Sequence, residues 1–195
     1  MSYSIDPLTA DCYPGTSCLI NKLDIRDEKT LGEYEAMVTT AKTAILEQTP
    51  LRGNFDFPHY KAIHRFLFED LYAWAGQIRT VDMSKKTTVF AKADEIETLG
   101  DRAFSRLTRK CNFVGLAHGE FVESIVDFYN VINLLHPFRE GNGRTQRIFF
   151  TQLIRNAGYD IHFADIDKDA LMFATIQAAG GVNDLLFEIF RKAIR

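Results

Sequence analysis

A break between two apolar segments constrains this chain more than any other feature. From His118 to Leu135 the apolar residues Phe121, Ile125, Phe128, Ile132 and Leu135 recur at the spacing of one helix face. His136-Pro137 then stops the pattern, because proline disfavours helical geometry at the residue before it. A second helical pattern runs from Arg144 to Ala157, with Ile148, Phe149 and Leu153 inward and Gly158 as its cap. The loop between them holds one carboxylate, Glu140, and the run Gly141-Asn142-Gly143.

Each part of that stretch suits a nucleotide triphosphate with a metal. An imidazole of ordinary, near-neutral pKa at a helix end can act as a base, which makes His136 the candidate. Gly141 and Gly143 can take backbone angles that other residues avoid, turning consecutive N–H groups toward an anion. The helix starting near Arg144 adds the positive end of its dipole. Arg144 and Arg147 share one face of it and offer planar forks for phosphate oxygens. Glu140 can hold Mg²⁺, since one carboxylate plus substrate phosphates is a usual coordination for that ion. Taken singly, a helix-end histidine is more often packed and a Gly-Asn-Gly is more often a plain turn. Taken in this order and spacing, those plain readings lose their force.

The whole chain sets the frame. Its 195 residues fit a single domain, 1–195, with room for a core. A hydrophobic content of 46% and a charged content of 25% describe an ordinary globular protein. A net charge of −3 and the lack of any basic run argue against direct nucleic-acid binding. No apolar run approaches membrane-spanning length, so no membrane partner is expected. The opening Met1–Asp6 carries no signal-peptide pattern, and Cys12, Cys18 and Cys111 read as thiols of a reducing cytoplasm.

Residues 1–26 form an irregular lead-in with a turn at Tyr13-Pro14-Gly15-Thr16. A first helix is expected over Asp27–Gln48, with Leu31, Tyr34, Val38, Ala41 and Ile45 inward. A second starts at Asp56 or Phe57 and continues through Leu71 and Trp74 to a stop at Gly76; His59 and His64 on it read as structural. Further helices are expected over Asp94–Lys110 (Ile96, Leu99, Ala103, Phe104 and Leu107 inward), from Asp167 to before Gly180, and from Asn183 onward. Between them, residues 77–92 change period. Ile78, Thr80 and Asp82 alternate with Arg79, Val81 and Met83, then Ser84-Lys85-Lys86-Thr87 makes a polar tip and Thr88-Val89-Phe90 returns. This is the pattern of a short β-hairpin, whose edge could capture a peptide by strand addition. The reading is thus all-α, about seven helices with one short β-hairpin.

Residues 136–147, His-Pro-Phe-Arg-Glu-Gly-Asn-Gly-Arg-Thr-Gln-Arg, resemble the signature H-x-F-x-[D/E]-G-N-G-R-x-x-R of the Fic family at all eight defined positions. The lead-in from Tyr13 to Leu23 is similar to that of many bacterial Fic proteins. The resemblance implies the Fic fold and transfer of AMP from ATP to a Ser, Thr or Tyr hydroxyl of a target protein. On that reading His136 takes the hydroxyl proton and Glu140 holds Mg²⁺. Gly141, Asn142 and Gly143 form the anion loop, Arg144 and Arg147 hold the β- and γ-phosphates, and Phe138 anchors the loop on the core. The hairpin after Trp74-Ala75-Gly76, residues Ile78, Thr80, Val81, Asp82, Met83, Ser84, Lys85, Lys86, Thr87 and Thr88, becomes a flap that registers the target's backbone.

Rival readings are Doc-type kinase chemistry, UMP or phosphocholine transfer, and a non-catalytic nucleotide- or peptide-binding module. The intact Gly-Asn-Gly and second arginine favour AMP transfer. The short architecture resembles toxins of bacterial toxin–antitoxin pairs, some of which act on the B subunits of DNA gyrase and topoisomerase IV; delivery to a host cell as an effector is the other setting. Many Fic proteins carry an inhibitory helix, [S/T]-x-x-x-E-[G/N]. The nearest stretch here, Thr43–Gln48, misses its last position, so Glu47 reads as an exposed carboxylate and inhibition is expected from a small helical antitoxin supplying the glutamate.

Overall fold

A computed structural model describes residues 11–85 and 88–195. Lys86 and Thr87 of the expected hairpin tip lie outside the described residues. Among the described residues the elements are helices α1 (Glu28–Gln48) and α2 (Phe57–Phe68), strands β1 (Ser84–Lys85) and β2 (Thr88–Val89), and helices α3 (Ile96–Arg109), α4 (His118–Leu135), α5 (Asn142–Asn156), α6 (Lys168–Ala179) and α7 (Asp184–Ala193).

Side-chain caps mark three of the seven helix starts among the described residues. The carboxylates of Asp27, Asp56 and Asp167 each accept a backbone N–H of the first turn, from Thr30, His59 and Ala170. Helix α4 lies at the centre, packed against α3, α5, α6 and α7, while α5 also packs against α2 and α1. The core between them is aromatic. Phe104 stacks on Phe57 at 5.3 Å and meets Phe128 and Phe149 edge-on at 5.5 Å, and Phe150 meets Tyr129 edge-on at 4.9 Å.

Four expectations change. Helix α2 ends at Phe68, and Leu71 and Trp74 sit in turns that lead to Gly76, whose φ is 82°. Helix α3 begins at Ile96, after a short 3₁₀ turn, and Leu99 on it is exposed. The hairpin pairs only Ser84 with Val89 and Lys85 with Thr88; residues 77–83 run outside any ladder. Along that run Arg79 and Met83 are buried while Thr80 and Asp82 are exposed, so the alternation is present without a partner strand. Finally, α1 buries Leu31, Glu35, Thr39 and Leu46 and exposes Tyr34 and Ile45. Two polar residues occupy its inner face because they meet the site described next.

Candidate active site

His136 closes α4 in the left-handed conformation, φ 42° and ψ 59°, with its N–H still donating to the Ile132 carbonyl. Pro137 makes a further helical turn unfavourable and the chain reverses there. The imidazole is buried at 7% exposure and stacks on Phe90 at 3.8 Å, 10° from parallel. Its Nδ1 lies 3.3 Å from the Asn133 carbonyl. A carbonyl only accepts, so Nδ1 carries the proton and the lone pair sits on Nε2. Burial is the largest cause of a pKa pushed down to about 3; the Asn133 carbonyl opposes it and the charges of Arg79 and Lys85 add to it. The near-neutral value expected from the residue type is therefore corrected: this histidine is neutral across the physiological range.

The loop after it is built to stay rigid. Phe138 is fully buried, stacked on His64 at 3.8 Å and on Tyr60 at 5.6 Å. His64 is central to this packing. Its Nδ1 accepts the Gly76 N–H at 2.8 Å and its Nε2 donates to the Glu140 carbonyl at 3.0 Å, so one ring ties the loop to the segment leading into the hairpin. The Asn142 amide, expected to face an anion, is committed to the loop itself. Its Oδ1 accepts from Phe138 N at 2.8 Å and its Nδ2 donates to Phe138 O at 2.7 Å. Gly141 takes φ 80°, and a Cβ there would lie 2.2 Å from the Phe68 ring, so both backbone angle and space require glycine. Gly143 keeps a negative φ inside α5; its expected special backbone angle is absent, and what it leaves is an exposed, open first turn.

Helix α5 starts at Asn142, two residues before Arg144. The N–H groups of Asn142, Gly143 and Arg144 fall in its first turn, where no intrahelical acceptor exists. The two arginines, alike in sequence, differ in placement. Arg144 is engaged: Nη2 meets Glu35 Oε1 at 2.5 Å and Glu140 Oε1 at 3.3 Å, Nη1 donates to Thr39 Oγ1 at 3.3 Å, and the guanidinium lies over the Phe68 ring. Glu35 in turn accepts the Tyr72 hydroxyl. Arg147 is half-buried and has no carboxylate partner among the described residues. Desolvation is the main cause that lowers its pKa, and the neighbouring Arg144 charge adds to it.

Of these residues, His136, Gly143, Arg144 and Arg147 line one cavity of about 750 Å³, together with Lys85, Thr88 and Phe90 of the hairpin segment and Ile161, Phe163, Leu171 and Met172 at its apolar end; Glu140 is not among the lining residues. Thr43 and Glu47 of α1 also line it, so the exposed Glu47 carboxylate stands at the rim of the site. Among the described residues no cluster of three or more His, Cys, Asp or Glu could hold a metal alone. Glu140 has one oxygen, Oε1, bonded to Gly141 N at 2.7 Å and to Arg144, which leaves Oε2 for a cation that takes its remaining ligands from phosphates. The donor set fits Mg²⁺ in that manner.

Sequence reasoning missed Glu35, Thr39, Tyr72, Arg79 and Phe90. For Glu35 and Thr39 the signal was weak, because a polar residue on a helix face normally marks the solvent side; Tyr72, Arg79 and Phe90 lie outside the helices, where no helical periodicity marks an inward side chain. The pattern describing the Fic/DOC family matches residues 54–154. A probable protein adenylyltransferase Fic of Escherichia coli is 39% identical over 93% of this chain and 90% of its own length. The probable protein adenylyltransferase y4lH of Sinorhizobium fredii is 37% identical over 95% of both. Among solved structures, BepC of Bartonella tribocorum with bound AMPPNP superposes with a TM-score of 0.87 at 28% identity, covering 95% of this chain and 96% of that one. A Bartonella quintana effector Fic domain with bound ADP gives 0.90 at 29% identity, covering 95% and 94%. The chain belongs to the Fic/DOC family, and within it to the adenylyltransferases.

Proposed function

We propose that this enzyme transfers AMP from ATP to a hydroxyl of a protein seated along the hairpin. One observation supports this most: the half-buried guanidinium of Arg147 has no carboxylate partner among the described residues and lines a nucleotide-sized cavity beside the open N-terminus of α5. A desolvated cation at a helix N-terminus is a strong anion site. The triphosphate then runs along α5 with Arg147 on its outer phosphates, and the apolar end of the cavity receives the base. Arg144, already paired with Glu35, contributes charge while holding Glu140 in place. Glu140 would be the protein's ligand to Mg²⁺, which offsets phosphate charge when bound.

The acceptor oxygen attacks the α-phosphorus, the bond to the β-phosphate oxygen breaks, and pyrophosphate leaves. The acceptor proton passes to His136 Nε2. An imidazole with a pKa of about 3 is a weak base but is always unprotonated. It serves because the hydroxyl becomes far more acidic as its bond to phosphorus forms. Incubation of the enzyme and Mg²⁺ with a bacterial lysate tests the reading. Label should enter protein from [α-³²P]ATP and not from [γ-³²P]ATP, and His136→Ala should remove it. Label from the γ position alone would mean kinase chemistry.

Control and setting extend the same reading. An external carboxylate that occupies Arg147 excludes the γ-phosphate, because one fork cannot serve both. We assign that carboxylate to a small antitoxin, with the enzyme acting as a toxin on a bacterial protein such as the B subunit of a type II topoisomerase. Glu47 at the cavity rim is the internal competitor, and a large gain of labelling in Glu47→Gly would transfer the brake to it. Among the described residues no helix is long and apolar enough to cross a membrane.

A further inference from the structure

Arg79 is a buried cation that the proposed chemistry leaves without a role. It is 3% exposed and every hydrogen bond of its guanidinium ends on a backbone carbonyl. Nε donates to His136 O at 2.8 Å, Nη1 to Val81 O at 2.6 Å and Nη2 to Ala91 O at 2.5 Å. Its own backbone N–H donates to Pro137 O at 2.8 Å, and Ala91 N donates to Leu134 O at 3.0 Å. Among the described residues no carboxylate is hydrogen-bonded to it, although the Asp82 charge opposes the desolvation, so a buried arginine here depends on acceptors for its donors. Each of the three guanidinium nitrogens meets one carbonyl, which occupies three of the five N–H donors and fixes the carbonyls relative to one another.

The identity of those carbonyls matters. One belongs to His136 itself, whose left-handed backbone is a strained state for a residue with a Cβ and persists only where its surroundings over-determine it. The other two, Val81 and Ala91, flank the hairpin on its entering and leaving sides. Between them Phe90 lays its ring on the imidazole. One planar group therefore joins the base to both ends of the flap.

We propose that Arg79 is a positioning residue that holds His136 in its left-handed conformation and anchors both ends of the hairpin to it, so that base and acceptor keep one frame. This rests on the adenylyl-transfer reading. Displacing a base by about 1 Å costs roughly 10²-fold in rate. A guanidinium bonded in three directions cannot be replaced by a single ammonium, so lysine restores only part of the function.

The test uses the full chain as wild type, Arg79→Met and Arg79→Lys. Three quantities are read: ATP affinity by calorimetry, the rate of lysate labelling from [α-³²P]ATP at saturating ATP, and the imidazole proton resonances of His136 and His64. Stacking on Phe90 shifts the His136 ring protons through the aromatic ring current, and stacking on Phe138 does the same for His64. The expected result in Arg79→Met is a fall of about 10²-fold in labelling rate with ATP affinity nearly unchanged, His136 resonances moved and His64 resonances in place. Arg79→Lys, the more conservative change, should fall between the two. Loss of ATP affinity, labelling and both histidine signatures together, in Arg79→Lys as well as Arg79→Met, would reduce Arg79 to general support of the fold and overturn the proposal. Unmoved His136 resonances with a wild-type rate would also overturn it. If wild type labels nothing, the adenylyl-transfer reading fails, while the His136 signature still decides whether Arg79 sets the base.

Discussion

At the level of single residues, the site separates two arginines that the sequence pattern treats as a pair. Arg144 sits in a small polar cluster with Glu35, Thr39 and Glu140, and the Glu35 side chain is 11% exposed. Removing one member of a largely buried pair leaves the other uncompensated. Glu35→Ala should therefore cost about 2–3 kcal/mol of stability in urea denaturation, and Glu35→Gln should cost less because Tyr72 and Arg144 keep a neutral acceptor. Equal costs for the two would mean that a neutral acceptor contributes nothing and that the carboxylate charge carries the whole effect. The depressed pKa of His136 gives a second expectation. Because its folded-state value is about 3, ionisation of this residue places no acidic limb on kcat/KM between pH 5 and 8. A limb centred near 6.5 that disappears when His136 is the group changed would contradict the burial argument.

Among the elements, the hairpin has a readable edge. Phe90 N donates to Met83 O, so the pair 83/90 is hydrogen-bonded, and the alternation of an antiparallel ladder makes Ser84/Val89 a non-bonded pair and Lys85/Thr88 a bonded one. The N–H groups of Ser84 and Val89 thus face outward on opposite edges. Thr88, an edge candidate from sequence, instead directs its N–H to its partner strand. Val89→Pro deletes an outward donor while leaving the ladder intact. It should lower target labelling about tenfold, with unchanged ATP affinity, if the acceptor adds to β2; Ser84→Pro is the matching test for β1, and neither having an effect would dispose of strand addition. The sequence was legible here in unequal measure. Helices α4 and α5 and the loop between them followed from Pro137, the glycines and the apolar spacing, all local signals. The inner face of α1 did not, because Glu35 and Thr39 are polar yet turned inward toward Arg144, a contact more than a hundred residues away in sequence. The end of α2 was overrun because Leu71 and Trp74 keep a helix-like spacing while packing from turns.

At the scale of the whole molecule, three buried histidines, His59, His64 and His136, have pKa values lowered by burial and make stability depend on pH. His64 and His136 both have folded-state pKa values of about 3, with burial as the main cause, against about 6.5 when unfolded. Between pH 3 and 6.5 the unfolded chain holds these protons and the native one does not. Stability must then rise with pH across that window and be lost as pH falls through it, by up to about 1.4 kcal/mol per pH unit for each histidine. Denaturation curves at successive pH values should show this slope, and His136→Ala should remove close to one proton from it. A flat profile from pH 4 to 6.5 would show that both rings take up protons in the native state.

The central claim is that anion binding and proton removal belong to separate parts of the site, Arg147 with the α5 N-terminus and His136 at the end of α4. Calorimetric titration of ATP with Mg²⁺ into wild type, His136→Ala and Arg147→Ala, set beside the labelling rate of each, tests it directly. The account predicts that His136→Ala binds ATP as wild type does and transfers nothing above about 1%, whereas Arg147→Ala loses at least about tenfold in affinity and transfer with it. Loss of ATP binding in His136→Ala, or wild-type affinity in Arg147→Ala, would contradict it.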